Sequence, residues 1–463
     1  MPKAGRSASR GSPGPKDEAV GAVTGHDGTV TTEGLDGWGD EDSHESALEP
    51  VGLIRQSGAI LRLGRLMLSA GTASYRVKEG MSRAGEALGL SGHHAHVTLT
   101  EITATSHRGP IFRTEVTEVR QVTINADRIA RLDKLKDDLG PGWTVERLNA
   151  ALDEIEAKVP PYPTWANAAF GGAACAAFAV LNNARPWEVL AVFVAAMLGQ
   201  LVRRNLVRRG FNHFGTTMIA ATIAAVIYLC GVEIINAVAA GTATQSAGYV
   251  SSVLFLVPGF AIVTGALDLA KLDFSAGVSR TAFAVMILVA SGVGFWGVSL
   301  VAGLEPAAGE PFAISSGALL TVRIVASFVG VLGFALMFNS SPGMAITASA
   351  VGGVANLARI EMVENGLVVQ AATVVACIAV GVLAAAISSK TRWPIITLSV
   401  PATLIMIPGA KVYGAMVSLN EGASVEALAS GVDAILVVLA IAIGLVIAKL
   451  MTDPTWSSER AHH

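Results

Sequence analysis

Charge is what this chain has least of. Asp, Glu, Lys and Arg make up 15% of its 463 residues, against roughly 25% in soluble globular domains. An ordinary water-soluble fold is excluded, the more so because the charge is concentrated before Pro160. Cysteine is also sparse. Cys175, Cys230 and Cys377 lie singly in apolar stretches, which excludes a metal-type spacing and leaves them as small buried hydrophobes. No apolar core of signal-peptide type stands at the front, so that end is expected to stay on the side where it is made. The net charge of −3 averages a polar front over an apolar back and carries no information about nucleic acid.

What the chain has in excess is apolar sequence: 52% hydrophobic residues and a mean hydropathy of +0.54. From about Trp165 to Leu450 it runs as ten candidate spans, near 165–181, 187–203, 213–231, 249–267, 281–302, 318–338, 343–358, 367–388, 394–415 and 432–450. Several approach the roughly 20 residues that cross a bilayer, whereas the first, second and seventh are short. Small residues such as Gly292, Gly294, Gly297, Gly330 and Gly333 suit close helix packing within a bundle.

The spans repeat. Leu256-Val-Pro-Gly-Phe260 is echoed by Met406-Ile-Pro-Gly-Ala410, and Asn183, Pro186 and Arg203 have counterparts at one interval in Asn339, Pro342 and Arg359. Five spans per half is an odd number, so duplicated halves must run in opposite directions, as in transporters built from inverted repeats. The expected fold is an α-helical polytopic membrane protein of about ten helices in an inverted five-plus-five repeat. It divides into residues 161–310 and 311–452, with a short cytoplasmic tail at 453–463. Lys and Arg orient it. With the N-terminal region inside, internal loops hold Arg203, Arg204, Arg208, Arg209, Lys271, Arg280, Lys390 and Arg392. External loops hold only Arg185 and Arg359, beside Glu233, Glu305, Glu310, Glu361, Glu364 and Glu421.

Ahead of the spans, residues 1–50 are rich in Gly, Ser, Pro, Asp and Glu and are expected to be disordered. Residues 51–160 read as a cytoplasmic α+β domain. A helix from Val51 and another over Tyr75–Leu88 come first, then β-branched runs at Ala95–Ser106 and Ile111–Ile124. Asn125-Ala-Asp127 and Thr144-Val-Glu146-Arg147 open two closing helices before Pro160. Ser69, His93, His94, His96 and His107 form neither a nucleophile elbow nor a recognised metal spacing, so catalysis and metal binding are not expected.

Chemistry should sit at the paired breaks. Pro258 and Pro408 remove a helical hydrogen bond, freeing the carbonyls of Leu254 and Leu404, and Gly259 and Gly409 permit further distortion. A carbonyl freed in hydrocarbon must find protein, water or ligand. These carbonyls could meet an ammonium, and the half-helix N-termini a carboxylate. Lys411, just after the second break, is the leading intramembrane charge for substrate carboxylate or charge balance. Asp268 and Arg323 are candidates for proton coupling. Asn183 and Asn339, with Asn356, Thr216, Thr217 and Ser399, could read a hydroxyl group.

Leu68-Ser69-Ala70-Gly71-Thr72-Ala73-Ser74-Tyr75-Arg76-Val77, followed by a helix ending Ala87-Leu88-Gly89-Leu90, resembles the N-terminal signature of threonine/serine exporters. The order of later elements, the ten spans and the Leu-Val-Pro-Gly segment resemble that family over roughly residues 55–450. A Thr-Pro-Thr type segment common there is replaced here by Thr98-Leu99-Thr100-Glu101-Ile102. The resemblance implies export of small hydroxylated amino acids, driven by the proton motive force, across a bacterial plasma membrane. The partners then expected are an amino acid, protons and the lipid bilayer, with homo-oligomerisation open and no nucleic acid or cofactor. A dicarboxylate or organic acid carrier, a membrane-tethered enzyme and a passive channel are the alternatives.

Overall fold

The structure, a computed structural model, describes residues 40–119, 123–238, 246–304 and 312–457. The tail expected to be disordered lies outside them as far as residue 39, as do Glu305 and Glu310. The chain divides into two compact units, Met1–Glu49 and Pro50–His463; the second holds, from Pro50 on, an α+β segment, called the domain below, and a helical bundle.

The domain is built from α1 (Asp40–Ser69), α2 (Ser74–Ala87), a three-stranded antiparallel sheet and the helices α3 (Ala126–Asp138) and α4 (Val145–Ala157). The first helix starts ahead of the expected Val51. The sheet runs in the order β1 (Gly92–Val97), β2 (Glu101–Arg108), β3 (Ile111–Glu118). One run expected over Ala95–Ser106 is thus two strands. Thr98 turns the chain between them, its N–H donating to Glu101 C=O (2.9 Å) and its Oγ1 accepting from Glu101 N–H (3.1 Å). Alternation aims Ile102, Ala104 and Ser106 inward on β2. They meet a core of Ile60, Leu63 and Met67 from α1, Val77 and Met81 from α2, and Leu132 and Leu148 from the last two helices. Asn125 caps α3 through Arg128 N–H (3.1 Å) and Thr144 caps α4 through Arg147 N–H (3.2 Å).

The first half of the bundle comprises α5 (Thr164–Leu181), α6 (Pro186–Arg208), α7 (His213–Val238), α8 (Ser246–Ser251), a 3₁₀ turn at Leu254–Leu256, α9 (Gly259–Ala270) and α10 (Phe274–Ala302). The second comprises α11 (Ser316–Met337), α12 (Pro342–Glu364), α13 (Val369–Thr391), α14 (Ile395–Leu404), α15 (Gly409–Asn420) and α16 (Ser424–Thr452). Among the described residues, seven helices are long and apolar enough to cross a membrane, and two bent pairs bring the number to nine. The pairs are the α8–α9 segment, bent by 61°, and α14–α15, bent by 49°. Of the ten expected spans, α12 is the one outside that set. It carries Ser349, Gly352, Gly353 and Asn356, a composition suited to a helix packed against α11, α13 and α14.

The two halves match in detail. Asn183 (φ 65°) and Asn339 (φ 61°) both adopt the left-handed conformation that ends α5 and α11, a role Asn fills because its short polar side chain tolerates that region. Pro186 and Pro342 each open the following helix, where a missing N–H costs nothing. Pro258 and Pro408 cap α9 and α15 with nearly equal backbone angles. Exchanging α5–α10 for α11–α16 element by element maps the contacts between bundle helices onto one another. In particular α8 packs on α15 and α9 on α14, so the two broken segments pack against each other. A Cβ on Gly259 would overlap Leu404, and one on Gly409 would lie 2.7 Å from the Phe178 ring. The halves also meet where α5 crosses α11, with Gly333 so close that an added Cβ would lie 2.6 Å from Phe170 C=O.

Candidate functional site

A cavity of about 270 Å³ opens beside the first break, a volume suited to a small solute. Val257, Pro258, Gly259, Phe260, Ala261 and Thr264 form one wall; Asn167, Gln200, Arg203, Arg204 and Arg208 form another. His213, Thr217, Arg280 and Asn339 add further polar groups, and Phe255, Phe283, Met337 and Phe338 are among the apolar ones. The domain contributes Gly71, Leu99, Thr123 and Ile124. Leu99 is the tip of the β1–β2 turn, where the resemblance led one to expect a proline.

The break satisfies its own carbonyls. The oxygens of Leu254 and Leu404, expected to be free for ligand, accept from the N–H groups of Val257 (3.1 Å) and Ile407 (3.3 Å). A tightened last turn takes up what proline leaves open. Donors are what remain. Gly259 N–H bonds Val257 C=O and Ile262 N–H bonds Pro258 C=O, leaving the N–H groups of Phe260 and Ala261 without a backbone acceptor among the described residues, at the positive end of α9. The Oδ1 of Asn339, buried in the lining, has no hydrogen-bond partner among the described residues. Next to it runs a chain of amides: Gln200 Nε2 donates to Asn167 Oδ1 (3.2 Å), and Asn167 Nδ2 donates to Met337 C=O (2.6 Å). The ionisable side chains in the lining are Arg203, Arg204, Arg208, His213 and Arg280, with no carboxylate among them.

Behind the cavity the domain is latched to the bundle. Asp268, fully buried near the end of α9, accepts hydrogen bonds from the backbone N–H groups of Ser74 (3.0 Å) and Tyr75 (3.5 Å). Its carboxylate thus neutralises the N-terminus of α2. It also pairs with Arg280 Nε at 3.1 Å. The other guanidinium nitrogens of Arg280 donate to Thr72 C=O (2.8 Å) and Thr264 Oγ1 (3.2 Å). Ser74 Oγ donates to Asp273, which Lys78 Nζ also meets at 2.6 Å. A second junction joins α3 to α11: Ala126 and Asp127 N–H donate to the C=O groups of Phe338 (2.9 Å) and Asn339 (3.2 Å). Both junctions set a helix N-terminus against negative charge or a helix C-terminus. Burial pushes the Tyr75 phenol up to about 12, and its ring stacks edge-on against Trp456 at 5.2 Å.

The expected site residues therefore separate. Pro258, Gly259 and Asn339 line the cavity; Pro408 and Gly409 form the second break, packed against the first half but outside the lining. Asn183 is the turn residue at the end of α5, also outside it. Lys411 is half-exposed and pairs with Asp433 at 2.8 Å, so its charge is matched away from the cavity. Arg323 is tied to Glu364 (2.9 Å) and Glu361 (3.5 Å) near the end of α12. Asp268 reaches the cavity only through Arg280. Of the basic charges expected in loops, Arg203, Arg204, Arg208, Arg280, Lys390 and Arg359 lie on helices, since α6 runs to Arg208, α10 starts at Phe274, α12 spans Pro342–Glu364 and α13 runs to Thr391. Of the cysteines, Cys175 and Cys377 are buried and Cys230 is exposed.

Fold and composition together define a multi-pass helical membrane protein with a cavity beside a broken helix. A family model described as "Putative threonine/serine exporter" matches residues 59–302, and a second, "Threonine/Serine exporter, ThrE", matches 323–451. The chain belongs to the threonine/serine exporter family, a family of transporters rather than enzymes. It is 25% identical over 409 residues to the "Probable threonine/serine exporter" of Mycobacterium tuberculosis strain H37Rv, covering 85% of this chain and 76% of that one. It is also 28% identical over 259 residues to the "Probable succinate transporter subunit YjjP" of Escherichia coli strain K12, covering 52% of this chain and 93% of that one. No solved structure matches.

Proposed function

We propose that this protein is a secondary active transporter that exports small hydroxylated amino acids, threonine and serine, from the bacterial cytoplasm at the expense of the proton motive force. In this reading both termini face the cytoplasm and the halves form an inverted repeat in the plasma membrane. The exchange-symmetric helix contacts support such a repeat, because halves of five spans related by a two-fold must run antiparallel. The observation that carries the reading is the first broken helix, which lines the cavity and packs against the second. The substrate carboxylate faces the first turn of α9, and Asn339 Oδ1 takes the ammonium or hydroxyl group. Asp268 is the coupling carboxylate with a physical link to the cavity, through Arg280; Arg323 has none. Labelled threonine efflux from cells with and without the protein tests this. Efflux that an uncoupler abolishes is expected, and efflux equal in both cell types would contradict it.

A dicarboxylate substrate is the second reading. The cavity's charged side chains are basic, and one relative is named as a succinate transporter subunit. Counterflow of succinate against threonine in proteoliposomes separates the two.

A further inference from the structure

Two arginines hold equivalent places in the repeat, and neither has an acidic partner among the described residues. Arg203 on α6 contacts Gln200 Oε1 at 3.4 Å, one helical turn before it. Arg359 on α12 donates from Nε to Asn356 Oδ1 at 3.1 Å, again one turn before it. Gln200 and Asn356 are themselves repeat mates, both buried, and each is held in turn. Gln200 bonds Asn167, and Asn356 Nδ2 donates to Ser327 Oγ at 2.8 Å. The fold therefore builds the same device twice: a buried amide on a bundle helix steering a guanidinium that no carboxylate among the described residues neutralises. Arg280, Arg323 and Lys411 pair with carboxylates instead, and Arg204 and Arg208, farther along α6, make no hydrogen bond to a buried amide such as Gln200 among the described residues.

An arginine among apolar helices without an acidic partner is costly, and the cost is met by water or by an anionic ligand. Arg203 lines the cavity, where a small solute can supply the missing charge. A guanidinium presents paired donors that match the two oxygens of a carboxylate.

Resting on the transport reading above, we propose that Arg203 and Arg359 are a matched pair of substrate-carboxylate receptors, one for each face of the membrane. Arg203 engages the carboxylate of a solute entering from the side that carries the 51–160 domain. Arg359, its mate in the other half, performs the same task when the opposite face is open. The carboxylate is the chemistry both recognise, in an amino acid or a dicarboxylate. Asn167, Gln200, Ser327 and Asn356 are positioning residues that act through the arginines.

Counterflow of labelled threonine into proteoliposomes tests the assignment, with orientation fixed by protease access to the domain. Arg203→Ala should raise KM roughly ten- to hundredfold at the domain face, as loss of a charged hydrogen bond entails, and leave KM at the opposite face unchanged. Arg359→Ala should do the reverse. Threoninol, which lacks the carboxylate, should compete poorly with threonine on wild-type protein, and that preference should vanish at the affected face of each variant. A merely structural role would lower the maximal rate at both faces and keep the preference for threonine. Equal KM at both faces in Arg203→Ala, with wild-type exchange intact, overturns the assignment alone. Absence of exchange of threonine and of succinate by the wild-type protein overturns the transport reading, and the assignment with it.

Discussion

The carboxylate of Asp268 and the guanidinium of Arg280 meet 3.1 Å apart, 0% and 2% exposed, where the domain joins the bundle. Each residue also holds backbone of the segment Thr72–Tyr75. The stretch of sequence that resembles the family signature is therefore the latch between domain and broken helix.

Removing one side of that pair should be severe. Asp268→Asn leaves Arg280 buried without a counter-charge, a change that costs about 3–5 kcal/mol in buried pairs. Thermal unfolding of detergent-purified protein should show a clearly lower Tm, with new protease cleavage near Gly71–Ala73. An unchanged Tm and cleavage pattern would show that the latch bears no strain.

Lys411 should matter little to substrate affinity. Its partner Asp433 lies 2.8 Å away and both side chains are about half exposed, the setting in which ion pairs contribute roughly 0–1 kcal/mol. Lys411→Ala is expected to leave the KM for threonine close to wild type in counterflow. A large rise in KM would return Lys411 to the substrate path.

The sheet should loosen on acidification. His93 on β1 is held down to about 4, chiefly because burial disfavours the imidazolium and secondarily because of His94. Its Nδ1 meets Ser106 Oγ at 3.0 Å and its Nε2 is buried without a partner among the described residues. The folded value lies below the ordinary histidine value of about 6.5, so the unfolded state binds the proton first. Stability is full above about pH 6.5 and falls between 6.5 and 4, by on the order of 2–3 kcal/mol. Amide hydrogen exchange in β1 and β2 of the full-length protein should accelerate across that window, and His93→Gln should flatten the dependence. A flat profile in the wild type would contradict the assignment.

Much of this was legible in the sequence, because its strongest signals are local. Apolar runs, capping residues such as Asn125 and Thr144, and the paired Pro-Gly breaks gave the elements and their order. The repeat register was legible too, since Asn183 and Asn339 do the same backbone work. What escaped were relations between distant segments. Arg280 sits near a helix start and reads as a loop charge until Asp268 and Thr72 fold against it. Lys411 looks like an isolated intramembrane charge until α16 brings Asp433 beside it. The freed carbonyls were misjudged for a local reason, since a 3₁₀ turn reclaims them before any ligand could. Gln200–Arg203 and Asn356–Arg359 did carry a signal, the same polar pair at one helical turn in both halves, but it gains meaning only once the cavity is seen.

The central claim is that solute crosses where the two broken helices meet, and proline keeps both breaks open. Pro258→Ala and Pro408→Ala each restore a backbone donor and remove a ring clash, so both bends of 61° and 49° should relax toward continuous helix. Counterflow of labelled threonine in proteoliposomes, at equal amounts of folded protein, measures the consequence. Each variant should lose at least about tenfold in rate, the equivalent of about 1.4 kcal/mol. Wild-type rates in both variants would contradict the account.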